Sequence, residues 1–275
     1  MKNVLIIGAS SYIGKSFLQY ACNKFNIQAI SVRDNRWKEF DFSSYDTVLY
    51  CAGIAHVPQR KDMRKLYFDV NCNLTAQVAI HAKEAGVKQF IFLSSMSVYG
   101  NGQREISPET IPLTKTDDFY GTSKLAAEEK LAALESNNFG ICILRPPMVY
   151  GYGCKGNFPR LVRLAKRAPF FPDIQNKRSM IYINNLCEFI CQTIIENKSG
   201  IFLPQNLEYV NTTQLVLLIA KNNGRKIHTT KLFNPLIKLL QNKIGLLDKL
   251  FGNLTYTKTG NETEYNIVSF ENSVK

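Results

Sequence analysis

The sequence predicts an α/β protein built on a doubly wound parallel sheet, with a small C-terminal part added to it. Three observations carry that expectation. Short apolar runs alternate with helical patterns over roughly the first 150 residues, as in βαβ units. The first run, Val4 to Ile7, passes through Gly8-Ala-Ser-Ser-Tyr-Ile-Gly14 straight into a helical segment. Two later runs, Gln89 to Ser95 and Gly140 to Arg145, end in polar residues, at the strand ends where open α/β sheets place ligands.

Taken in order, the glycine-marked turn comes first. A strand, a glycine turn and a helix start aim backbone N–H groups and the helix dipole at an anion. A P-loop needs four residues between its first glycine and Gly-Lys-Ser, whereas Gly8 and Gly14-Lys15-Ser16 enclose five. The dinucleotide spacing Gly-x-x-Gly-x-x-Gly fits, with Ser11 at the middle glycine; Tyr12 and Ile13 complete the turn, and the helix is expected over 15–24. The departure at Ser11 is expected to hinder close approach of a pyrophosphate.

The second strand, Ile27 to Val32, ends at Arg33-Asp34. An acid here suits a free ribose and an arginine suits a 2′-phosphate, so Arg33 makes NADP the preferred cofactor over NAD. Asp41-Phe42 then leads to a third strand, Thr47 to Cys51, ending in Ala52-Gly53, small enough to let a cofactor lie against the backbone. A helix over 63–85 carries Asn71, and the fourth strand runs into Ser94-Ser95-Met96-Ser97-Val98-Tyr99-Gly100. After a segment rich in Pro, Thr and Ser, Tyr120-Gly-Thr-Ser-Lys124 opens an Ala-rich helix, and the fifth strand ends at Pro146-Pro147.

The Tyr-x-x-x-Lys pair carries the chemistry. At i and i+4 the phenol and the ammonium share one helix face, and the lysine is expected to pull the phenol below its usual pKa toward acid/base work. Tyr20 and Lys24 repeat the spacing on the first helix, where nothing reactive is near, and are read as coincidence. His81 is read as structural, and His56, just after the third strand, as a residue that could face the cofactor.

Composition bounds the rest. At 275 residues and 45% hydrophobic, the chain is long enough for one large domain with an appendage. Residues 1–155 are expected to form the dinucleotide-binding domain, its sheet completed near 200–204, and 156–275 a smaller substrate-binding region. No apolar run reaches membrane-spanning length. The seven cysteines lack a Cys-x-x-Cys; Cys187 and Cys191 stand four apart on an apolar helix, which reads as core rather than metal site. A cytoplasmic, reduced setting without metal is the expectation. The net charge of +12 includes seven basic residues and one acid between Lys155 and Arg178, without a nucleic-acid motif. Leu236 to Leu250 reads as one amphipathic basic helix, expected to face the core rather than a membrane surface.

Together these residues resemble the extended short-chain dehydrogenase/reductases, in particular the NAD(P)-dependent sugar-nucleotide epimerase/dehydratase family. The ordered set runs over about residues 3–203: Gly8-x-x-Ser-x-x-Gly14, Ala52-Gly53, Asn71, Ser94-Ser95-x-x-Val-Tyr-Gly100, Tyr120-x-x-x-Lys124, Arg145-Pro-x-x-Val-Tyr-Gly151 and Arg178. The resemblance implies a Rossmann-type dinucleotide-binding fold. It implies that Tyr120 exchanges the proton, Lys124 holds the nicotinamide ribose and Ser95 bonds the reacting oxygen. Asp41 and Phe42 would flank the adenine, and Pro147 would lie against the cofactor. Met148, Asn157 and Arg178 would meet a nucleotide-diphosphate sugar. Family 4,6-dehydratases carry an Asp-Glu pair where Met96 and Ser97 stand, so elimination lacks its acid and base here. That leaves a 4-ketoreductase of 4-keto-6-deoxy-hexosamine nucleotides serving surface polysaccharides, which Arg33 favours, or a UDP-hexose 4-epimerase. The retained Ser95, Tyr120 and Lys124 speak against a non-catalytic dinucleotide sensor. Family members often pair as homodimers through the helices bearing Asn71 and Tyr120, and the resemblance implies that option here.

Overall fold

A computed structural model of the chain describes residues 1–55, 60–100, 103–113, 118–241 and 243–274, except the side chain of Leu246. His56 lies outside the described residues. In chain order the elements are β1 (Asn3–Ile7), α1 (Tyr12–Ala21), β2 (Asn26–Ile30), β3 (Thr47–Tyr50), α2 (Arg64–Phe68), α3 (Leu74–Glu84) and β4 (Gln89–Leu93). There follow β5 (Glu105–Ile106), α4 (Phe119–Ala132), β6 (Gly140–Leu144), β7 (Met148–Tyr150), α5 (Asn157–Ala165), β8 (Phe170–Pro172), β9 (Met180–Tyr182), α6 (Ile183–Ile195) and β10 (Gly200–Phe202). The chain closes with α7 (Thr212–Asn222), β11 (His228–Thr230), α8 (Asn234–Gln241), α9 (Gly245–Phe251), β12 (Thr255–Tyr256), α10 (Glu262–Tyr265) and α11 (Phe270–Ser273).

Six strands form one parallel sheet in the order β10-β6-β4-β3-β1-β2. Its inner strands are apolar almost throughout because helices cover both faces. Val4 and Ile6 of β1 point into one core with Phe17, Leu186 and Ile190; Leu5 and Ile7 point into the other with Val78, Ala82 and Leu131. Cys187 and Cys191 are buried in the first of these cores. β1 pairs with β2 on one side and β3 on the other, so the strand order reverses there and a crevice opens at the carboxyl ends.

Several expected boundaries move. α1 starts at Tyr12 rather than Lys15, because Ser11 caps it, accepting from Gly14 N at 3.0 Å. The helix expected over 63–85 is α2 and α3 joined by a π-helical turn, Asp69–Asn73, which holds Asn71. The helix expected over 236–250 is two, α8 and α9, and only Ile237 of α8 is buried. β10 pairs in parallel with β6.

A third apolar cluster, with Tyr150, Phe158, Phe171, Val216 and Phe251, lies among the elements after β6. Tyr12 and Tyr182 pack against both this cluster and the α1/α6 core. A fourth cluster of Met96, Val98, Tyr99, Ile106 and Tyr256 forms where β12 pairs with β5.

Candidate active site

The crevice begins at the glycine turn. Gly8 has φ +107°, and a Cβ there would stand 2.7 Å from Ala52 N, so β1 and β3 can converge only at glycine. A Cβ at Gly14 would stand 2.7 Å from Ser11 Oγ and 2.9 Å from Gly8 O. Ser11 itself has φ −70°, which needs no glycine, and its side chain caps the helix. Tyr12 and Ile13 pack against the core below, and the buried Tyr12 hydroxyl has no hydrogen-bond partner among the described residues.

Arg33 lies across this turn and donates from Nη2 to Ser10 Oγ at 3.1 Å. Asp34 is held by its own turn: it accepts from Arg36 N at 3.1 Å and pairs with the Arg36 guanidinium at 2.7 Å. Those two contacts hold its carboxyl below the usual range, the side-chain bond contributing most. Ser10 carries no signal of its own in sequence; only folding brings it to Arg33. Asp41 is exposed and accepts from Ser43 N at 2.8 Å. Phe42 is fully buried, its ring 4.7 Å from His81 and 6.0 Å from Phe40. His81 is thereby structural, with Nε2 3.3 Å from Phe40 O.

Ser95, Tyr120 and Lys124 converge at the ends of β4 and α4. Ser95 follows β4, caps the short turn Met96–Tyr99 and hydrogen-bonds the Tyr120 phenol. α4 is capped by Asp118, which accepts from Gly121 N at 3.1 Å. Gly121 matters for the approach: a Cβ there would stand 2.6 Å from Ser97 O. Lys124 is 4% exposed, donates from Nζ to Leu93 O at 2.7 Å and lies 4.5 Å above the Phe92 ring. Burial pulls its pKa from 10.5 down to about 8. Burial also pushes the Tyr120 phenol up, against the hydrogen bond from Ser95. The expected depression by Lys124 is therefore not what governs the phenol: desolvation is the largest influence, Asp118 and Tyr67 add to it, and the neutral acid form is favoured. The look-alike pair has another use, since Tyr20 Oη and Lys24 Nζ both donate to Glu188, at 2.6 and 2.5 Å, tying α1 to α6.

Asn71 braces the same corner. It accepts from Ile54 N at 2.9 Å and donates to Ile54 O at 3.0 Å and Ser123 Oγ at 3.1 Å. A Cβ at Gly53 would meet Asn71 Oδ1 at 2.9 Å and Lys124 Nζ at 3.4 Å, which explains the small residue after Ala52. Behind the reactive side chains Glu128 forms a buried two-toothed pair with Arg145, at 2.5 Å, and accepts from Ser94 Oγ. Arg145 Nη1 also donates to Tyr99 Oη at 2.7 Å. Sequence reading missed Glu128, although a carboxylate four residues past Lys124, on an Ala-rich helix face, was a usable signal.

Pro147 is buried beyond β6, and Met148 begins β7, half-buried. Asn157 is exposed at the first position of α5. Arg178 bridges in backbone to Val210 and Leu254, and its Nη1 donates to Gly252 O at 2.9 Å. Burial lowers its pKa, which Asp248 offsets and Arg104 reinforces. Arg104 pairs with Asp248 at 2.7 Å and lines a cleft of about 330 Å³ with Gln175, Lys238, Gln241 and Phe251. Arg178 and Asn157 thus stand on different elements. Among the described residues no group of His, Cys, Asp and Glu could hold a metal ion.

Ser95, Tyr120 and Lys124 thus stand together beside the crevice that opens at the glycine turn. Residues 4–202 match the NAD dependent epimerase/dehydratase family, and the chain belongs to that family of enzymes. It is 36% identical over 264 residues to a UDP-glucose 4-epimerase of Vibrio cholerae, covering 89% of this chain and 79% of that one. It is 28% identical over 274 residues to the N-acetyl-alpha-D-glucosaminyl-diphospho-ditrans,octacis-undecaprenol 4-epimerase of Escherichia coli O157:H7, covering 91% and 81%. The UDP-glucuronic acid 4-epimerase of Bacillus cereus, solved in complex with NAD, superimposes with a TM-score of 0.75 at 18% identity over 99% of this chain and 96% of that one.

Proposed function

We propose that this chain is a reductase of the C4 ketone in a 4-keto-6-deoxy-hexosamine nucleotide, using NADPH. The residues fit a dinucleotide: Gly8 and Gly14 leave room at the start of α1, and Lys124 and Asn71 close the far end of the crevice. When bound, the nicotinamide supplies the hydride. Ser95 would bond the ketone oxygen, and Tyr120, kept protonated by burial, would give that oxygen its proton. Lys124 would hold the ribose and the charge balance around the phenol. We assign the pyrophosphate to the backbone of Gly8 to Gly14, and the adenosine end to Arg33, Asp41 and the backbone of Phe42. Ala52, Gly53 and Pro147 would line the cofactor. In this reading the part after about residue 155 supplies the substrate side, with Met148 near the sugar and Asn157 and Arg178 toward the diphosphate.

The observation that carries the choice is Arg33. It reaches over the glycine turn to Ser10 while Asp34 is occupied by Arg36, an arrangement suited to a 2′-phosphate rather than a free ribose. A cofactor used once per turnover and released goes with a reductase. A second reading, 4-epimerisation with a retained NAD, is favoured by the names of the two relatives above.

The deciding experiment is release and identification of the dinucleotide from freshly purified protein. Empty protein that binds NADPH reversibly and oxidises it with a 4-keto sugar nucleotide supports the reductase. Near-stoichiometric NAD that survives dialysis overturns it in favour of the epimerase. Tyr120→Phe should lower turnover by roughly 10²–10⁴-fold while NADPH affinity stays within a few-fold; undiminished turnover would remove the mechanism.

A further inference from the structure

The segment running from β11 into α8 keeps an apolar face in water. Leu232 is 77% exposed, Phe233 51%, Leu236 55% and Leu239 67%. Phe233, Leu236 and Leu239 recur every third residue, so they form one row along the helix and the turn leading into it. Ile237, on the other side, anchors α8 to the third core. Exposed single leucines are ordinary, but a contiguous row on one short helix marks an interaction surface.

The charge around the row identifies the partner. Between residues 221 and 250 the sequence holds Lys221, Arg225, Lys226, Lys231, Lys238, Lys243 and Lys249 against one acid, Asp248. Asp248 is already paired with Arg104 at 2.7 Å. Asp173 stands 4.0 Å from Lys231. Lys238, Lys243 and Lys249 are exposed and without an ion pair among the described residues. A second copy of this chain would bring like charges together along the same rim. A protein partner would need an acidic border around an apolar groove. An anionic bilayer offers both components over a flat surface: acyl chains for leucine and phenylalanine, and phosphates for lysine heads on flexible stems.

We propose that α8 and its leading turn dock the protein peripherally on an anionic lipid bilayer, with the helix lying in the plane of the headgroups. Among the described residues no helix is long and apolar enough to cross a membrane, so the contact is one-sided. Lys238 and Gln241 line the cleft shared with Arg104 and Gln175, so docking would set that cleft beside the membrane surface. The proposal does not involve Tyr120 and stands whether the reaction proves to be reduction or epimerisation.

Flotation of the full chain with phosphatidylcholine vesicles, with and without phosphatidylglycerol, tests it. Binding is expected only to the phosphatidylglycerol vesicles and should weaken with added salt. Leu236→Ser with Leu239→Ser, and separately Lys238→Glu with Lys243→Glu, should each lower the bound fraction about tenfold or more, with unchanged melting temperature and turnover of soluble substrate. Should the leucine variant fail to fold, the lysine variant alone decides. Equal binding to neutral vesicles, no binding, or binding that neither variant reduces would overturn the proposal. So would a dimer in sedimentation that Leu236→Ser dissociates, since a second copy would then cover the row.

Discussion

Lys124 shows what a buried charge costs the fold. Buried on the Leu93 carbonyl, its ammonium titrates at about 8 instead of 10.5. Below pH 8 the folded and unfolded chains both carry the proton, and the full cost of burying the charge is present. Between about 8 and 10.5 the folded state sheds it first, so this residue's contribution to stability rises with pH. Lys124→Met should therefore raise stability at pH 7 by roughly 1–2 kcal/mol in denaturant melts while abolishing turnover. In the wild type kcat/KM should hold below pH 8 and fall as the ammonium is lost above it, since that ratio reports the free enzyme. At the other end of the crevice, Arg33→Ala should weaken NADPH by roughly 10–100-fold and NADH by far less. Equal losses by titration would remove the basis for a 2′-phosphate site.

At the scale of elements, the site depends on two backbones approaching closely. The turn Met96–Tyr99 comes so near to α4 that a Cβ at Gly121 would stand 2.6 Å from Ser97 O. Gly121→Ala must push that turn away, and Ser95 with it. Turnover should fall roughly ten- to a hundredfold while dinucleotide affinity is nearly kept, because the displacement falls on the Ser95–Tyr120 distance rather than the glycine turn. Parallel measurement of kcat and cofactor Kd checks it; a loss confined to Kd would refute it. The π-helical turn serves the same corner. It presents Asn71 to both Ile54 and Ser123, so one side chain fixes the loop after β3 against the helix bearing Tyr120 and Lys124.

Across the whole molecule, a buried polar network ties the sheet to the C-terminal part. Glu128 of α4 holds Arg145 at the end of β6; Tyr256 of β12 donates to Arg145 O at 2.6 Å; Tyr99 packs edge-on against Tyr256. Removing one partner leaves a buried charge without compensation. Glu128→Ala should cost about 3–5 kcal/mol in unfolding experiments, more than removal of an exposed pair such as Arg60–Asp62, worth at most about 1 kcal/mol. The same network shows why a segment far from the motifs bears on the site's geometry.

Much of this was legible in the residues because it rests on local rules. Apolar period, glycine spacing and the i,i+4 pair depend on a few neighbouring residues, so the strands, the phosphate-type turn and the Tyr120–Lys124 pair could be read directly. Folding alone decided what depends on distant partners. It placed Ser10 beneath Arg33, buried Phe42, gave Tyr20 and Lys24 to Glu188, split the basic C-terminal helix and turned its leucines outward. It also reversed the direction expected for Tyr120. Spacing can announce a cation one turn away, but the pKa follows the balance of charge against desolvation, and desolvation is a property of everything packed around the group.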